Sequence, residues 1–307
     1  MRDTNRRVAC ALAATLLLAV APLACGDGSG TETDGVTVAV SVLPHAWLVE
    51  RIGGEHVTVV TLVGPGESPA TYQPTDQLVS EAMRARLLFR TGVPFERGPW
   101  LAAVKRAGVI TIDLRAHVPL RDMEAHDHGE EEGHAEDEPD VSAEGKDPHI
   151  WLAPALLRRQ AMTAADALAA ADPEHAETYR ANFEALDTEL AALDGEIRQK
   201  LENLPTRRLY VFHPAWGYFC DAYGLTQVPI EIEGKDPSER ELTEIVKRAK
   251  ADDVKVIYVQ PQITGRAVTA VAEAIGARVE RLDPIARDVP ANLRAAAESI
   301  AAAARDK

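Results

Sequence analysis

The chain has 307 residues, three cysteines and a formal net charge of −15 at pH 7. Much of this charge lies in residues 122–147, which hold twelve acidic side chains and one lysine, so the rest of the chain is only moderately acidic. The lack of a basic face argues against a nucleic-acid partner. No apolar run in the sequence reaches the roughly 20 residues of a membrane-spanning helix.

The first 35 residues predict export. The start MRDTNRR is basic, Val8–Ala21 is apolar, and small residues precede Cys25, as in a secretion signal. We expect residues 1–24 to be a signal peptide and residues 25–35 to be a flexible tether. Cys25 is a candidate lipid-attachment residue that would anchor the protein to the membrane, and a plain cleaved signal is the alternative. The expected location is the periplasm or the outer face of the cytoplasmic membrane.

Strands alternate with short helices from residue 36 to residue 153. A helix is predicted from His45 to Ile52, and Thr75 is a plausible N-cap for another. Alternating strands and helices predict parallel βαβ units with right-handed crossovers, which makes residues 36–153 an N-terminal α/β lobe. The runs that predict strands are residues 36–43, 57–63, 87–90 and 109–114.

The middle of the chain predicts one long helix and the last third a second lobe. Apolar residues at steps of three and four form one stripe between Pro173 and Leu204, so residues 154–204 are expected to be helical. Ser238 and Glu241 form a capping box in residues 205–307, where strands are predicted at residues 209–212, 228–232, 254–259 and 279–282. The predicted fold class is therefore α/β, with two α/β lobes that contain parallel sheets and are joined by one long rigid helix.

Four side chains that can bind a metal lie near the ends of predicted strands or in a stiff motif. His45, His213 and Asp283 each follow a strand, and His149 lies in DPHIWLAP. Ligands bind beyond the carboxyl ends of strands in open parallel sheets. Two imidazoles and a carboxylate suit zinc, with manganese or iron as alternatives. Each residue also has an ordinary structural interpretation, so the residues alone leave the site open.

Five motifs closely resemble the substrate-binding proteins of bacterial ABC importers for zinc and manganese. They are DPHIWLAP, VFHPAWGYFCDAYGL, EIEGKDPSERELTEIVKRAK, YVQPQITGRAVTAVAEAIGA and LDPIARD. The resemblance runs from Val36 to the C-terminus and implies a monomeric receptor that captures one metal ion in an interlobe cleft and delivers it to an ABC permease. It also implies that His149, His213 and Asp283 are ligands. Histidine rather than glutamate at position 213 resembles the zinc-preferring members.

The chain departs from this family at Ala70. The family's first histidine ligand lies in a segment like SPATYQPT, where this chain has alanine. Either water completes the metal shell, or a neighbour such as His45 or Glu67 takes the place. We expect His45 because it should lie at the same edge of the cleft; the alternative is that His45 only caps its helix.

Residues 122–146 are a polar insertion without aromatic residues, and such a composition cannot form a core of its own. The insertion contains His126, His128 and His134 and resembles the mobile histidine-rich loop of many zinc-type members, which suggests auxiliary metal binding. A solvated charge run is the alternative.

Two other functions remain at this point. The same receptor class could be specific for Mn²⁺ or Fe²⁺. A secreted zinc hydrolase is less well supported, because the sequence has no HExxH motif and the nearest general bases, Glu231 and Glu233, lie in a segment that the receptor family shares. We therefore predict a binding protein and not an enzyme.

Overall fold

The structure is a computed structural model that describes residues 35–123, 145–232, 234–262 and 266–306. Residues 35–307 group into one compact unit. The predictions for the signal peptide, Cys25, Glu233 and the three insertion histidines (His126, His128 and His134) lie outside the described residues. Among the described helices, none is both long and apolar enough to cross a membrane.

The first sheet has four parallel strands in the order β2-β1-β3-β4 within the described residues. Its central strand β1 is buried from Val38 to Val40, which explains its β-branched, uniformly apolar sequence. The strands are β1 Val36–Val40, β2 Val57–Thr61, β3 Leu87–Arg90 and β4 Ile110–Asp113, and the helices are α1 Leu43–Gly53, α2 Asp76–Ala82 and α3 Pro99–Arg106.

Two long helices follow, α4 Pro154–Ala171 and α5 Ala176–Lys200. The 25 residues of α5 span about 38 Å, and α5 packs against α1, α4 and α9 (Val289–Arg305). Its buried stripe consists of five of the predicted apolar residues, Tyr179, Leu186, Leu190, Leu193 and Ile197. The helix is shorter than predicted at both ends. At its start, a separate 3₁₀ turn occupies Pro173–His175. Beyond its last residue, Asn203 has a positive φ of 55°, which is incompatible with a continuing helix.

The second sheet, in the described part of the C-terminal region, repeats the first with the order β6-β5-β7-β8, all parallel. Ser238 forms the predicted capping box with Glu241 at the start of α7. The strands are β5 Arg208–Val211, β6 Thr226–Pro229, β7 Val256–Val259 and β8 Arg278–Arg281; the remaining helices are α6 Gly217–Tyr223, α7 Glu239–Ala251 and α8 Arg266–Ile275.

The predicted fold class is confirmed, with local shifts in strand limits. Strand β6 was predicted at residues 228–232 but occupies Thr226–Pro229. The apolar residues after it are buried for another reason: Ile230 and Glu231 donate their backbone N–H groups to β5 and its extension, at Val211 O (2.9 Å) and Phe212 O (3.1 Å). Burial thus continues past the strand, and the hydrophobic pattern alone cannot mark its end.

Candidate metal centre

A cavity of about 200 Å³ lies where the two sheets present their carboxyl ends. Its lining includes Gly92–Pro94 after β3, His213 after β5, and Gln260 and Gln262 after β7. In a sheet with the strand order 2-1-3-4, the strand order reverses between strands 1 and 3. Ligands bind in the crevice at the carboxyl ends of these two strands. Both sheets therefore contribute the loops that their topology makes available for a ligand.

His149 lines this cavity and is fixed from behind by Asp147. One carboxylate oxygen of Asp147, Oδ1, accepts the backbone N–H of His149 at 2.9 Å and contacts its Nδ1 at 2.7 Å. Asp147 is almost fully buried, and Arg121 lies 3.6 Å from its other oxygen, Oδ2. A carboxylate on Nδ1 sets the imidazole tautomer and leaves the Nε2 lone pair for a metal.

His213 has the same arrangement with a different carboxylate. Its Nδ1 lies 2.5 Å from Oε1 of Glu231, a buried residue in the turn after β6. Glu231 is a neighbour of His213 in space because β6 pairs with β5 in the sheet. The Nε2 atom of His213 is therefore the nitrogen left for a ligand.

The two rings have a spacing that suits one shared ion. The centroids of His149 and His213 are 5.3 Å apart and their planes are inclined at 75°. With zinc–nitrogen bonds of about 2.0–2.1 Å in a tetrahedral set, two imidazole centroids lie about 5 Å apart. The pair can therefore take a metal with small adjustments.

Asp283 does not line the cavity with them. Its Oδ1 accepts the backbone N–H of Ile285 at 3.1 Å and the Nε2 of Gln262 at 3.4 Å, and Gln262 itself lines the cavity. Within the described ranges, no group of three or more His, Cys, Asp or Glu side chains could hold a metal ion. The structure thus brings together two of the three ligands that the family resemblance implies, and Asp283 is outside the lining of the cavity.

The structure does not bring His45 to the cavity, contrary to our expectation. His45 is fully buried in the first turn of α1, and its Nε2 lies 2.8 Å from Oε1 of Gln160, whose own Nε2 donates to Ile150 O at 2.9 Å. Burial lowers the pKa of His45 to about 4, so the ring is neutral. Through Gln160, His45 thus positions the segment that follows His149. It does not replace the first histidine ligand of the family, which this chain lacks.

At the position of that histidine, Ala70 lines the cavity and offers no donor atom. Glu67, the other substitute that the sequence suggested, also lines the cavity and is exposed. In this structure Glu67 is therefore better placed than His45 to supply an additional ligand.

Contacts that the sequence analysis did not identify join the two lobes beside the imidazoles. Trp151 Nε1 donates to Pro284 O at 2.6 Å, and Tyr218 Oη donates to Asp147 O at 3.0 Å. Arg121 lies 3.2 Å from Asp221 of α6 and packs over Gly217, where a Cβ atom would come within 1.2 Å of its guanidinium. The motif DPH places a carboxylate two residues before His149, so the contact between Asp147 and His149 could be predicted from the sequence. The hydrogen bonds of Trp151 and Tyr218 could not, because their partners are distant in the chain.

The comparisons with known proteins concern the family and the fold. The family model described as zinc-uptake complex component A, periplasmic (ZnuA), matches residues 38–303. A crystal structure of ZnuA is 38% identical, with a TM-score of 0.80, and the match covers 88% of this chain and 99% of that one. A zinc-bound ZnuA deletion mutant is 36% identical with the same TM-score, covering 89% and 100%. The manganese ABC transporter substrate-binding lipoprotein PsaA of Streptococcus pneumoniae is 26% identical over 280 residues, 87% of this chain and 86% of that protein.

Replacing His45 by glutamine should reduce the acid sensitivity of the fold. Because the native pKa of about 4 lies below the value of 6.5 for an unperturbed histidine, the unfolded state binds more protons between these values and stability falls as the pH falls. From pH 7.5 to pH 5.0, this one group should remove roughly 2 kcal/mol of unfolding free energy. Urea unfolding of the wild type, His45→Gln and the exposed-site control His117→Gln measures the difference. An equal loss of stability in the wild type and His45→Gln would contradict the assignment.

Asp147→Asn and Glu231→Gln should each weaken zinc binding by about 10–100-fold, the usual effect of removing a carboxylate that orients a metal-binding histidine. Both changes keep the side-chain size and remove the negative charge. Competition with a chromophoric chelator measures the affinity, circular dichroism checks the fold, and Asp166→Asn on the exposed side of α4 is the matched control. Folded variants with unchanged affinity would show that these carboxylates do not orient ligands.

Proposed function

Because the chain belongs to the family of the periplasmic component A of zinc-uptake complexes, we propose that it is a receptor that captures Zn²⁺ outside the cytoplasmic membrane and delivers it to an ABC-type permease. The observation that carries the proposal is the pair His149 and His213. The two rings line one cavity 5.3 Å apart, and each has its Nδ1 against a carboxylate.

The donor chemistry of this pair favours zinc. Imidazole nitrogen is a common zinc ligand, whereas Ca²⁺ and Mg²⁺ take oxygen ligands. The carboxylates of Asp147 and Glu231 also favour a dication near the imidazoles, because they add negative charge behind both rings. Mn²⁺ or Fe²⁺ is the alternative cargo, supported by the similarity to a manganese-binding lipoprotein, since imidazole with oxygen donors suits these ions as well.

Two carboxylates are the proposed sources of a further protein ligand. Glu67 lines the cavity, while Asp283 does not and accepts a hydrogen bond from Gln262 at 3.4 Å. For Asp283 to bind the ion, its loop must move towards the imidazoles. His45 is not part of the proposed ligand set, because its ring is buried against Gln160.

Metal capture in this structure calls for local movement more than for wide opening of the lobes. Helix α5 forms ion pairs with both flanking helices, through Glu189 to Arg51 of α1 and through Glu196 to Arg294 of α9. Such exposed pairs contribute little stability each, but the buried Trp151–Pro284 bond lies beside the cavity itself. We propose that release depends on the permease, which separates these contacts when the receptor docks.

The remaining parts of the proposal concern residues outside the described ranges. A signal peptide in residues 1–24 and a lipid on Cys25 would place the receptor at the membrane surface. His126, His128 and His134 would bind metal loosely near the cavity, and the acidic insertion around them would raise the local cation concentration, an effect that salt screens. The receptor is proposed to act as a monomer.

His149→Ala in the full chain should lower zinc affinity by more than about 100-fold, because it removes a ligand and not only its orientation. His117→Ala, an exposed histidine away from the cavity, is the control, and a variant with alanine at positions 126, 128 and 134 tests the insertion. Zinc competition titrations should show one tight equivalent that His149→Ala loses and the triple variant keeps. The reverse pattern would make the insertion the main metal binder. Repeating the titrations with Mn²⁺ distinguishes the two cargoes.

A further inference from the structure

Glu96 is a buried carboxylate that does not line the cavity. It lies in a 3₁₀ turn, Pro94–Arg97, and only 4% of the residue is exposed. Burial raises the pKa of this side chain, while hydrogen bonds and the guanidinium of Arg90 oppose the rise. A buried charge is costly and its ion pairs add little net stability. The carboxylate of Glu96 is therefore better explained by a local conformation that it fixes.

This carboxylate holds the turn that follows β3. Oε1 of Glu96 accepts the backbone N–H of Thr91 at 2.9 Å, and Oε2 accepts that of Gly92 at 2.8 Å. Gly92 has a φ of 82°, and a Cβ atom there would lie 2.2 Å from the guanidinium of Arg115. Both carboxylate oxygens thus hold consecutive N–H groups in a conformation that suits glycine. Gly92 itself lines the cavity.

Thr91 connects this turn to the segment that contains His149. The residue is fully buried, and its hydroxyl donates to Pro148 O at 3.2 Å. Pro148 directly precedes His149, whose backbone N–H and Nδ1 are engaged by Asp147. Because Glu96 holds the backbone of Thr91, it also determines where the hydroxyl meets the chain beside the imidazole.

The same turn connects to the opposite side of the cavity. Phe95, the residue before Glu96, donates its backbone N–H to Pro69 O at 3.3 Å. Pro69 lies between Glu67 and Ala70 in the chain, and all three line the cavity. Two short paths of hydrogen bonds therefore lead from the turn, one to the backbone beside the imidazole and one to the segment that carries the proposed carboxylate ligand.

We propose that Glu96 and Thr91 are positioning residues of the metal site, which set the distance between His149 and the segment Glu67–Ala70. Glu96 fixes the turn after β3, and the Thr91 hydroxyl transfers this position to Pro148 O. Neither side chain lines the cavity, so neither binds the ion. This inference rests on the proposed function and deepens it, because it assigns part of the zinc affinity to two side chains outside the ligand set.

Variants of Thr91 test the transfer to His149. Thr91→Val keeps the shape and removes the hydroxyl, so it should weaken zinc binding by about tenfold, the lower end of the usual effect for a group that orients a ligand. Thr91→Ser keeps the hydroxyl and should restore the affinity to within about threefold of the wild type. Competition with a chromophoric chelator measures the affinity of each full chain, at a urea-free condition where unfolding curves show that it is folded.

Glu96→Gln tests the origin of the turn. The amide replaces one acceptor oxygen by a donor, so one of the two backbone N–H groups loses its partner, and zinc binding should weaken by about 10–100-fold. The double variant Glu96→Gln/Thr91→Val should lose less affinity than the product of the two single losses, because both changes act on one path.

The geometry of the bound metal separates positioning from a general loss of stability. The visible absorption of the Co²⁺-loaded protein reports the arrangement of the ligands. It should change in Thr91→Val and Glu96→Gln and return to the wild-type spectrum in Thr91→Ser. Tyr179→Phe removes a buried hydroxyl that donates to Asp172, away from the cavity, and controls for lost stability. Thr111→Val on β4, where the hydroxyl has no hydrogen-bond partner among the described residues, controls for the exchange itself. Both controls should keep the affinity and the spectrum.

Two outcomes overturn the inference. One is zinc affinity within about twofold of the wild type and an unchanged Co²⁺ spectrum in both Thr91→Val and Glu96→Gln, which would leave the receptor function intact. The other is equal weakening in Thr91→Ser and Thr91→Val, which would show that the hydroxyl is not responsible. If Glu96→Gln does not fold, the two Thr91 variants decide alone. Absence of tight zinc binding in the wild type would contradict the proposed function and this inference with it.

Discussion

The arrangement of the whole site depends on the segment Asp147–Leu152, which accepts hydrogen bonds at three backbone carbonyls and donates one from the Trp151 indole, with partners in both lobes. Tyr218 donates to Asp147 O, Thr91 donates to Pro148 O at 3.2 Å, and Gln160 donates to Ile150 O. The indole of Trp151 closes the set with its bond to Pro284 O. A buried polar group without a partner costs about 1–3 kcal/mol, so this segment has one well-defined conformation, and His149 lies within it.

This constraint has a direct consequence for metal recognition. The imidazole of His149 needs little reorganisation to bind, because its backbone N–H and its Nδ1 are both engaged by Asp147. Other parts of the lining are more exposed to solvent, including Glu67 and Arg97, and Ala70 supplies no donor. Two imidazoles held by carboxylates, the proposed ligands, fit a receptor that binds and releases its cargo, because few protein ligands would have to leave the ion at release.

The sequence predicted the fold well because its strands are short apolar runs between helices with clear start signals, such as the Ser238–Glu241 capping box. It also indicated that His149 and His213 would lie near each other, because the resemblance of their motifs to the metal-receptor family implies that both bind one ion. It could not predict the environment of His45, because the ring is held by Gln160, which lies 115 positions along the chain. The contacts of Asp283 were equally inaccessible, because its carboxylate accepts a hydrogen bond from Gln262, which lies 21 positions earlier in the chain.

The most direct test of this account is an anomalous-diffraction map from crystals of the zinc-loaded full chain, recorded at the zinc absorption edge. We predict one strong peak at about 2.0–2.1 Å from the Nε2 atoms of both His149 and His213, with Nδ1 of each ring still against its carboxylate. A map without a peak at this pair, with zinc bound elsewhere in the chain, would contradict the central claim.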